Sequence, residues 1–212
     1  MAHVLRLPAH RPQRVSQKLA VEPFFAHNVV TNNHMIKELT TRSATATDAP
    51  RITAIYNQGI EERCATFETE PRQSEDLAQR IADQERYPWL VAVDSVNAVL
   101  GWANLSSYRP RACYGGIAEF SIYLDRAARG RGIGRQLLPA LIDKAQSLGY
   151  WKLVSRIFTF NEPSRALCRA CGFREVGIYE KHGCLDGRWL DVVVVERLIP
   201  ENLIAADAAT QP

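Results

Sequence analysis

Residues 117–138 constrain the fold more than any other part of the chain, because a strand, a glycine-rich turn and a helix follow one another directly. Residues 117–124 read as a strand, and an amphipathic helix opens at Arg135. Between them, residues 129–134 read Arg-Gly-Arg-Gly-Ile-Gly. Glycine lets a ligand approach the backbone, and the amides at a helix N-terminus attract anions. The turn therefore predicts a pyrophosphate site, with added positive charge from Arg129, Arg131 and Arg135.

Two other nucleotide-binding motifs with this strand–turn–helix order do not fit. The P-loop requires a Gly-Lys pair, and the chain contains none. The dinucleotide fingerprint G-x-G-x-x-G is not matched by GRGIGR at residues 130–135, and no acidic residue closes a second strand at the expected distance. A plain glycine-rich surface turn is the competing interpretation.

Length and charge exclude several classes of protein. The 212 residues, 46% of them hydrophobic, suffice for one domain with a full core. No apolar run approaches the length of a membrane-spanning helix, so we predict no membrane partner. Residues 1–35 hold 4 of the 26 basic and 1 of the 23 acidic residues, so the rest of the chain carries 22 of each. Without a basic field, we predict no nucleic-acid partner.

The five cysteines form an odd, unpatterned set, which predicts free thiols and a cytoplasmic location. Cys168 and Cys171 have the C-x-x-C spacing of a redox or metal pair. No second pair with ligand spacing accompanies them, and on a helix the two sulfurs share one face. Core packing is therefore the favoured interpretation, and we predict no metal site.

Composition divides the chain into three parts. Residues 1–35 contain four of the five histidines and lack the apolar segment of a signal peptide. We predict a disordered or loosely attached extension there, or a leader that is not native, with Met35 as the natural start. Residues 36–200 have regular hydrophobic patterning and form the predicted domain, and residues 201–212 form a tail.

The pattern within the domain alternates between strands and helices. Helices are predicted to start at Asp48, as N-cap, and at Ser74, and to cover residues 135–149 and 164–171. Strands are predicted at residues 36–42, 89–93, 99–106, 117–124, 151–158, 173–181 and 189–198. The order β-α-α-β-β-β-α-β-α-β-β predicts an α/β fold, a mixed sheet with helices on both faces.

Several segments resemble the GNAT superfamily of N-acetyltransferases and, within it, the phosphinothricin acetyltransferase group. The turn R-G-x-G-I-G resembles the acetyl-CoA pyrophosphate loop of the superfamily. The group resemblance rests on IYN at 55–57, ATFETEP at 65–71, YRPR at 108–111, E-x-S-x-Y at 119–123 and G-x-W-x-D-V at 187–192. AEFSIYL, WKLVSRIF and EKHGCLDG look closest to the arsinothricin-resistance N-acetyltransferases. The resemblance covers roughly residues 36–200.

This resemblance implies the acyl-CoA N-acyltransferase fold with a splayed central sheet, and a homodimer. It implies transfer of acetyl from acetyl-CoA to the α-amine of glutamate analogues that bear an arsinyl, phosphinyl or sulfoximine group. The implied cofactor contacts are the backbone of the catalytic strand, the glycine loop and the turn after the next strand. These residues are Ile122, Tyr123, Leu124, Arg129, Gly130, Arg131, Gly132, Ile133, Gly134, Arg135, Asn161 and Ser164. Residues 161–164, Asn-Glu-Pro-Ser, are also compatible with an ordinary turn and helix start.

Three positions depart from the pattern of these relatives. Tyr114 is followed by Gly115, where many relatives have arginine. Phe120 stands where many have histidine after the acid, and Cys168 stands where the phosphinothricin enzymes have histidine and the wider superfamily often has a tyrosine acid. The substrate anchor and the group that protonates the leaving thiolate are therefore left open.

Amine acetylation requires a base, because the attacking amine must lose the proton of its ammonium form. Glu119 lies on the strand that precedes the cofactor-pairing segment and shares a face with Ser121 and Tyr123. A carboxylate in a sheet centre is costly unless it is used or paired. We predict Glu119 as the general base, with a structural ion pair as the alternative. His182, expected in a loop, is the second candidate, as the domain's only histidine.

An anionic amino acid requires planar cations, and Arg109 and Arg111 supply two within one turn, although solvated loop arginines are the alternative. Family position adds Phe67, Tyr114 and Lys181 as pocket walls. Two other classes remain open. One is a GNAT enzyme that acts on protein N-termini or another small amine, and the other is a non-catalytic acyl-CoA-binding module.

Overall fold

Seven strands and four α-helices account for most of residues 39–203, the part of the chain that the computed structural model describes. The strands are β1 (Thr40–Ser43), β2 (Trp89–Val93), β3 (Val99–Ser107), β4 (Ile117–Leu124), β5 (Lys152–Phe158), β6 (Arg174–Leu185) and β7 (Arg188–Leu198). The helices are α1 (Ala49–Glu62), α2 (Ser74–Ala82), α3 (Ile133–Ser147) and α4 (Glu162–Ala170). The predicted extension over residues 1–35 and most of the predicted tail lie outside the described residues.

The strands form one mixed sheet in the order β1-β2-β3-β4-β5-β7-β6. All neighbours are antiparallel except β4 and β5, which run parallel. These two pair only from Ile117 to Glu119, opposite Lys152 to Val154, and then separate. Meanwhile β4 stays paired to β3 up to Leu124, and β5 stays paired to β7 up to Phe158. The sheet therefore splits into two halves that diverge beyond Glu119.

Each face of the sheet carries its own core. On one face, the buried leucines of α3 pack with Ala103, Leu105, Ala118 and Phe120 of β3 and β4. On the other face, the apolar sides of α1 and α2 pack against an aromatic-rich surface that includes Trp89 and Trp102. The predicted element order and the predicted mixed sheet with helices on both faces are confirmed.

The last hairpin differs from the prediction that placed His182 in a loop. Asp186 and Gly187 have φ values of 49° and 77°, and two left-handed residues are what the tightest hairpin turn requires. Because this turn sets the pairing from Leu185 onward, β6 extends to Leu185 instead of ending at residue 181. The loop prediction is therefore wrong: His182 lies in an irregular stretch of β6, where the register shifts between Tyr179 and Gly183.

Element ends differ by smaller amounts. The first strand is Thr40–Ser43 where residues 36–42 were predicted, and residues 36–38 lie outside the described part. Helices α3 and α4 each begin two residues early, because Gly132 and Asn161 occupy their N-cap positions. Asp48 precedes α1 as predicted, but its carboxylate does not cap that helix. It accepts hydrogen bonds from Arg42 and from the Thr45 amide instead.

Candidate active site

The separation of β4 from β5 opens a cavity of about 80 Å³ in the middle of the sheet. Its walls come from the diverging strands, from α4 and from the segment that follows α1. They include four predicted cofactor residues, namely Ile122, Tyr123, Asn161 and Ser164. Over the described residues, the β5-facing edge of β4 has no partner strand beyond Glu119. Its backbone N–H and C=O groups can therefore pair with an extended ligand.

The glycine loop lies where β4 leads into α3. Gly130 and Gly132 have φ values of 76° and 79°, a region that favours glycine, and a Cβ on either would meet no atom within 4 Å. This open surface adjoins the first turn of α3, where the Arg135 amide donates to the Gly132 carbonyl and the two preceding amides have no acceptor within the helix. Gly134 behaves differently, since a Cβ there would lie 2.8 Å from Leu167 Cδ2. It serves helix packing, which corrects the prediction that all three glycines open the backbone to a ligand.

The predicted arginines of the loop are not equivalent. Arg129 donates to Glu62 of α1 at 2.8 Å and to the carbonyl of Leu124 at 3.3 Å. Arg126 also pairs with Glu62, at 2.6 Å. Arg131 and Arg135 are exposed, and their side chains form no ion pair within residues 39–203. Arg129 therefore fixes the loop to α1, whereas the other two predicted arginines leave their charge available to an anion.

The segment of residues 64–66 crosses the opening between β4 and α4. The Asn161 side chain donates to the carbonyl of Cys64 at 3.0 Å, and the Tyr123 hydroxyl donates to the carbonyl of Ala65 at 3.2 Å. The Asn161 Oδ1 atom also accepts from the Ser164 amide, so it caps α4. The two sides of the cavity are therefore tied together through one short stretch of backbone.

The predicted base, Glu119, lies where β4 and β5 part. The Arg156 Nη2 atom lies 2.7 and 2.8 Å from its two carboxylate oxygens. The Glu119 side chain is 26% exposed, so it remains accessible to solvent and to a ligand. Its cross-strand partner is Ser106 of β3, and Ser121 pairs with Asn104 in the same register. These four residues form a polar patch on one face of the two strands.

A second cavity, of about 220 Å³, lies on that face beside the polar patch. Four aromatic residues line it, namely Tyr56, Trp89, Trp102 and Tyr123. Polar lining comes from Asn104, Ser106 and Ser121, and charged lining from Glu68, Arg72 and Arg80. Burial raises the pKa of the Tyr56 and Tyr123 hydroxyls, so both stay protonated and can donate hydrogen bonds. We call this space the acceptor cavity.

Comparison with known proteins identifies the arrangement. The model of the acetyltransferase (GNAT) family matches residues 54–173, a span that includes the β4 strand, the glycine loop and α4. This chain belongs to the GNAT family. It is an acetyl-CoA-dependent N-acetyltransferase.

Three relatives of this GNAT enzyme illustrate the similarity. The chain is 37% identical over 160 residues to an L-methionine sulfoximine/L-methionine sulfone acetyltransferase of Pseudomonas aeruginosa, covering 73% of this chain and 91% of that enzyme. A phosphinothricin acetyltransferase from Sinorhizobium meliloti, solved in complex with acetyl-CoA, has a TM-score of 0.72 and 37% identity over 76% of this chain and 88% of that one. A ribosomal-protein-alanine N-acetyltransferase from Brucella melitensis has a TM-score of 0.72 and 34% identity, over 76% of this chain and 99% of that one.

These comparisons confirm the predicted superfamily, the phosphinothricin acetyltransferase group, the enzyme class and acetyl-CoA as co-substrate. The structure of this GNAT chain fits such a co-substrate. At Gly130 and Gly132 the loop has no side chain to occupy the space that a ligand would need. The unpaired edge of β4 can form backbone hydrogen bonds with an extended ligand. Over residues 39–203, no group of three or more His, Cys, Asp or Glu side chains is arranged to hold a metal ion.

The second predicted base of the GNAT enzyme is set apart from the first. The His182 ring lies 5.2 Å from Tyr179 and 6.4 Å from Phe67, centroid to centroid. Phe67 in turn packs edge-on against Phe158, whose side chain lines the cavity between β4 and β5. His182 has no hydrogen bond to Glu119 within the described residues. Lys181 beside it is exposed, and its backbone amide donates to Asp191 at 2.7 Å.

The predicted substrate arginines lie on the loop between β3 and β4. Arg109 and Arg111 are exposed, and Arg109 stacks over the Tyr108 ring at 5.3 Å. Tyr108 packs edge-on against Tyr114. None of these residues lines the acceptor cavity or the cavity between the strands. Their role in substrate binding stays a prediction.

Sequence reasoning missed several residues that line these cavities. Alternation along β3 places Trp102, Asn104 and Ser106 on the face that Glu119 shares, so the signal was present in the same pattern that singled out Glu119. Arg80 gives no such signal, because it lies on the exposed side of an ordinary amphipathic helix.

Cys168 and Cys171 are free and buried in the core beneath α4, which confirms the packing prediction. Cys168 also lines the cavity between β4 and β5. Burial raises the pKa of its thiol to about 12, so it stays protonated at neutral pH.

Proposed function

We propose that this GNAT enzyme acetylates the α-amine of a glutamate analogue, a reaction that detoxifies the analogue and confers resistance. The observation that carries the proposal is the acceptor cavity, whose lining combines aromatic and polar side chains with two arginines and includes Ser106, the strand partner of Glu119. Such a lining suits a small zwitterion with an additional polar or anionic group. The relatives are named for phosphinothricin and methionine sulfoximine. Because residues 118–124, 151–158 and 180–187 resemble arsinothricin-resistance enzymes, we propose arsinothricin as the first acceptor.

The co-substrate would be held by the residues that the sequence predicted. Residues 129–135 would bind the pyrophosphate, through the open glycines and the free charge of Arg131 and Arg135. The β4 backbone at residues 122–124 would pair with the pantetheine arm, with Asn161 and Ser164 on the opposite wall. Acetyl-CoA bound by these residues would supply an activated thioester carbonyl.

Glu119 would act as the general base. Its strand partner Ser106 lines the acceptor cavity, and the carboxylate would take the proton of an amine bound there directly or through one water. Arg156 holds the carboxylate in position without burying it. His182 remains the second candidate, because it stands behind Phe67 at the edge of the site.

We also propose a cytoplasmic homodimer. β6 is a sheet edge of 12 residues, and it exposes Val176, Ile178 and Tyr179, while β7 exposes Trp189. Long edges with large apolar side chains are normally covered in stable proteins. The five free cysteines favour a reducing compartment. The structure contains no helix within residues 39–203 that is long and apolar enough to cross a bilayer.

A panel of acceptors tests the substrate proposal. Thiol release from acetyl-CoA would be measured with arsinothricin, phosphinothricin and methionine sulfoximine, and with spermidine as a cationic control. We expect activity with the three glutamate analogues and little with spermidine. Efficient acetylation of spermidine with no activity on any glutamate analogue would overturn the proposal and leave the fold and co-substrate in place.

A protein N-terminus is the alternative acceptor. The Brucella melitensis structure is named for such an activity, and a larger cavity of about 400 Å³ adjoins the acceptor cavity through Arg80, Trp89, Asn104 and Ser106. This outer space could hold a second residue of a peptide. A peptide with N-terminal alanine therefore belongs in the same panel, and a higher kcat/KM for it than for the glutamate analogues would favour the alternative.

A further inference from the structure

The acceptor cavity contains polar atoms that the protein leaves without partners. Asn104 is 8% exposed, and the only hydrogen bond of its side chain within the described residues runs from Nδ2 to the carbonyl of Leu105, at 3.2 Å. Its Oδ1 atom therefore has no donor. Trp102 is 3% exposed, and its Nε1 atom is buried without an acceptor. The Asn104 Oδ1 atom is therefore available to accept a hydrogen bond from a ligand in this cavity.

The two arginines of the cavity differ in their charge balance. Arg72 donates to both carboxylate oxygens of Glu68, and its Nε lies 2.6 Å from Glu68 Oε2. Its charge is therefore compensated within the protein. Arg80 forms no hydrogen bond and no ion pair with any side chain in residues 39–203, although its charge helps to lower the pKa of Glu68. It is the cation of this cavity that remains available to a ligand.

The position of Arg80 defines which end of an acceptor it can reach. Ser121 lies on β4, on the side of the cavity where Glu119 would take the proton, and Asn104 is its partner on β3. Arg80 comes from α2 and lines both this cavity and the outer one, together with Trp89 of β2. The core around α2 includes Trp89 of β2, and in the sheet β3 separates β2 from Ser121 on β4, so Arg80 and Ser121 line the cavity from different elements. That separation suits the γ-group of a glutamate analogue better than its α-carboxylate.

We propose that Arg80 is a specificity-determining residue that binds the anionic γ-group of the acceptor, while Asn104 and Ser121 hold its amine end. This inference rests on the proposed function and adds to it a preference for a charged γ-group over a neutral one. It also assigns to α2 a recognition role that the sequence had assigned to Arg109 and Arg111.

Comparing two acceptors of similar size, one with an anionic and one with a neutral γ-group, distinguishes recognition of the charge from binding of the acceptor in general. Phosphinothricin carries an anionic phosphinyl group, whereas methionine sulfone carries a neutral sulfone. We expect R80A to raise KM for phosphinothricin by at least about tenfold, the effect of losing one charge-assisted hydrogen bond, and to change KM for methionine sulfone less than about twofold. R80K should recover part of the loss. K144A removes one exposed charge from α3 and should leave both values unchanged.

Calorimetry supplies a readout that does not depend on turnover. Phosphinothricin would be titrated into the wild type and R80A in the presence of CoA, and its Kd should rise in parallel with KM. Equal losses for both acceptors, or no loss for either, would overturn the role of Arg80 while leaving the proposed function intact. Failure of the wild type to acetylate any of the glutamate analogues, arsinothricin included, would instead overturn the proposed function.

Discussion

A single nitrogen joins Arg156 to Glu119: the Arg156 Nη2 atom lies 2.7 and 2.8 Å from the two oxygens of the Glu119 carboxylate. This contact spans the last point at which β4 and β5 are still adjacent. From the sequence, a general base and a structural ion pair were alternative roles for Glu119. The geometry accommodates both, because a partly exposed carboxylate can be oriented on one side and accept a proton on the other.

Glu119→Gln removes the proposed base and keeps its shape. We expect turnover to fall by about 10²–10⁴-fold, the usual range for general-base removal, and to recover partly at high pH, where more of the amine is already neutral. The measurement is kcat as a function of pH. If His182→Ala proves more damaging than Glu119→Gln, the two residues exchange roles.

Substitutions of Arg156 test whether this residue orients the Glu119 carboxylate. A lysine ammonium can also bridge two carboxylate oxygens from one nitrogen, so we expect Arg156→Lys to keep most of the activity. Arg156→Met should lower kcat by about tenfold, within the cost of a charge-assisted hydrogen bond, and leave the Kd for acetyl-CoA unchanged. An Arg156→Met enzyme with unaltered kcat would show that the ion pair does not position the base.

The glycine loop offers a matched pair of substitutions. Gly132 and Gly149 have φ values of 79° and 81°, and a Cβ on either meets no atom within 4 Å. Alanine should therefore strain both sites similarly and lower stability by about 1 kcal/mol in each case. Only Gly132→Ala, and still more Gly132→Val, should raise the Kd for acetyl-CoA, measured by calorimetry. Unchanged affinity at Gly132 would contradict the pyrophosphate assignment.

Asp48 should make stability depend on acid pH. Hydrogen bonds from Arg42 and Thr45 lower its pKa from 3.8 to about 2 in the folded protein. A lowered folded-state pKa stabilises the protein above the unfolded value, and this contribution is lost as the pH falls from 3.8 toward 2. Asp48→Asn should therefore reduce the free energy of unfolding by about 2 kcal/mol at neutral pH. Urea unfolding should show the two proteins converging in acid, with Asp143→Asn as the surface control.

The proposed dimer surface can be disrupted by charge. Ile178 on β6 is 58% exposed, and Val96 in the β2–β3 turn is 73% exposed. If β6 is covered by a second copy, Ile178→Asp should shift the molar mass in light scattering from dimer to monomer, whereas Val96→Asp should leave it unchanged. A monomeric wild type would refute the homodimer.

The sequence predicted the architecture well because local patterns decide it. Apolar alternation marks the strands, and the glycine loop between β4 and α3 identifies the superfamily. The end of β6 was missed because the strand was predicted to stop at residue 181, whereas the Asp186–Gly187 turn sets the pairing up to Leu185. Turn geometry overrides a local interruption when the partner strand is available.

The site was only partly predictable, because its remaining residues are defined by pairs that are distant in sequence. Arg156 meets Glu119 across the β4–β5 junction, 37 residues away. Glu62 meets Arg129 67 residues away and pairs the charge of one of the three predicted loop cations. Neither pairing follows from periodicity, since each depends on which strands become neighbours.

Helix α1 has a double attachment. On one side Tyr56 forms a wall of the acceptor cavity, and on another Gln58 and Glu62 hold the backbone and arginines of the turn that leads into the glycine loop. A helix moves as one body, so a substrate that fixes the position of α1 also fixes the contacts that α1 makes with the other substrate's site. The entropic cost of fixing α1 is then met only once. The two affinities are then thermodynamically linked: each substrate should tighten the binding of its counterpart by the same factor, whichever arrives first.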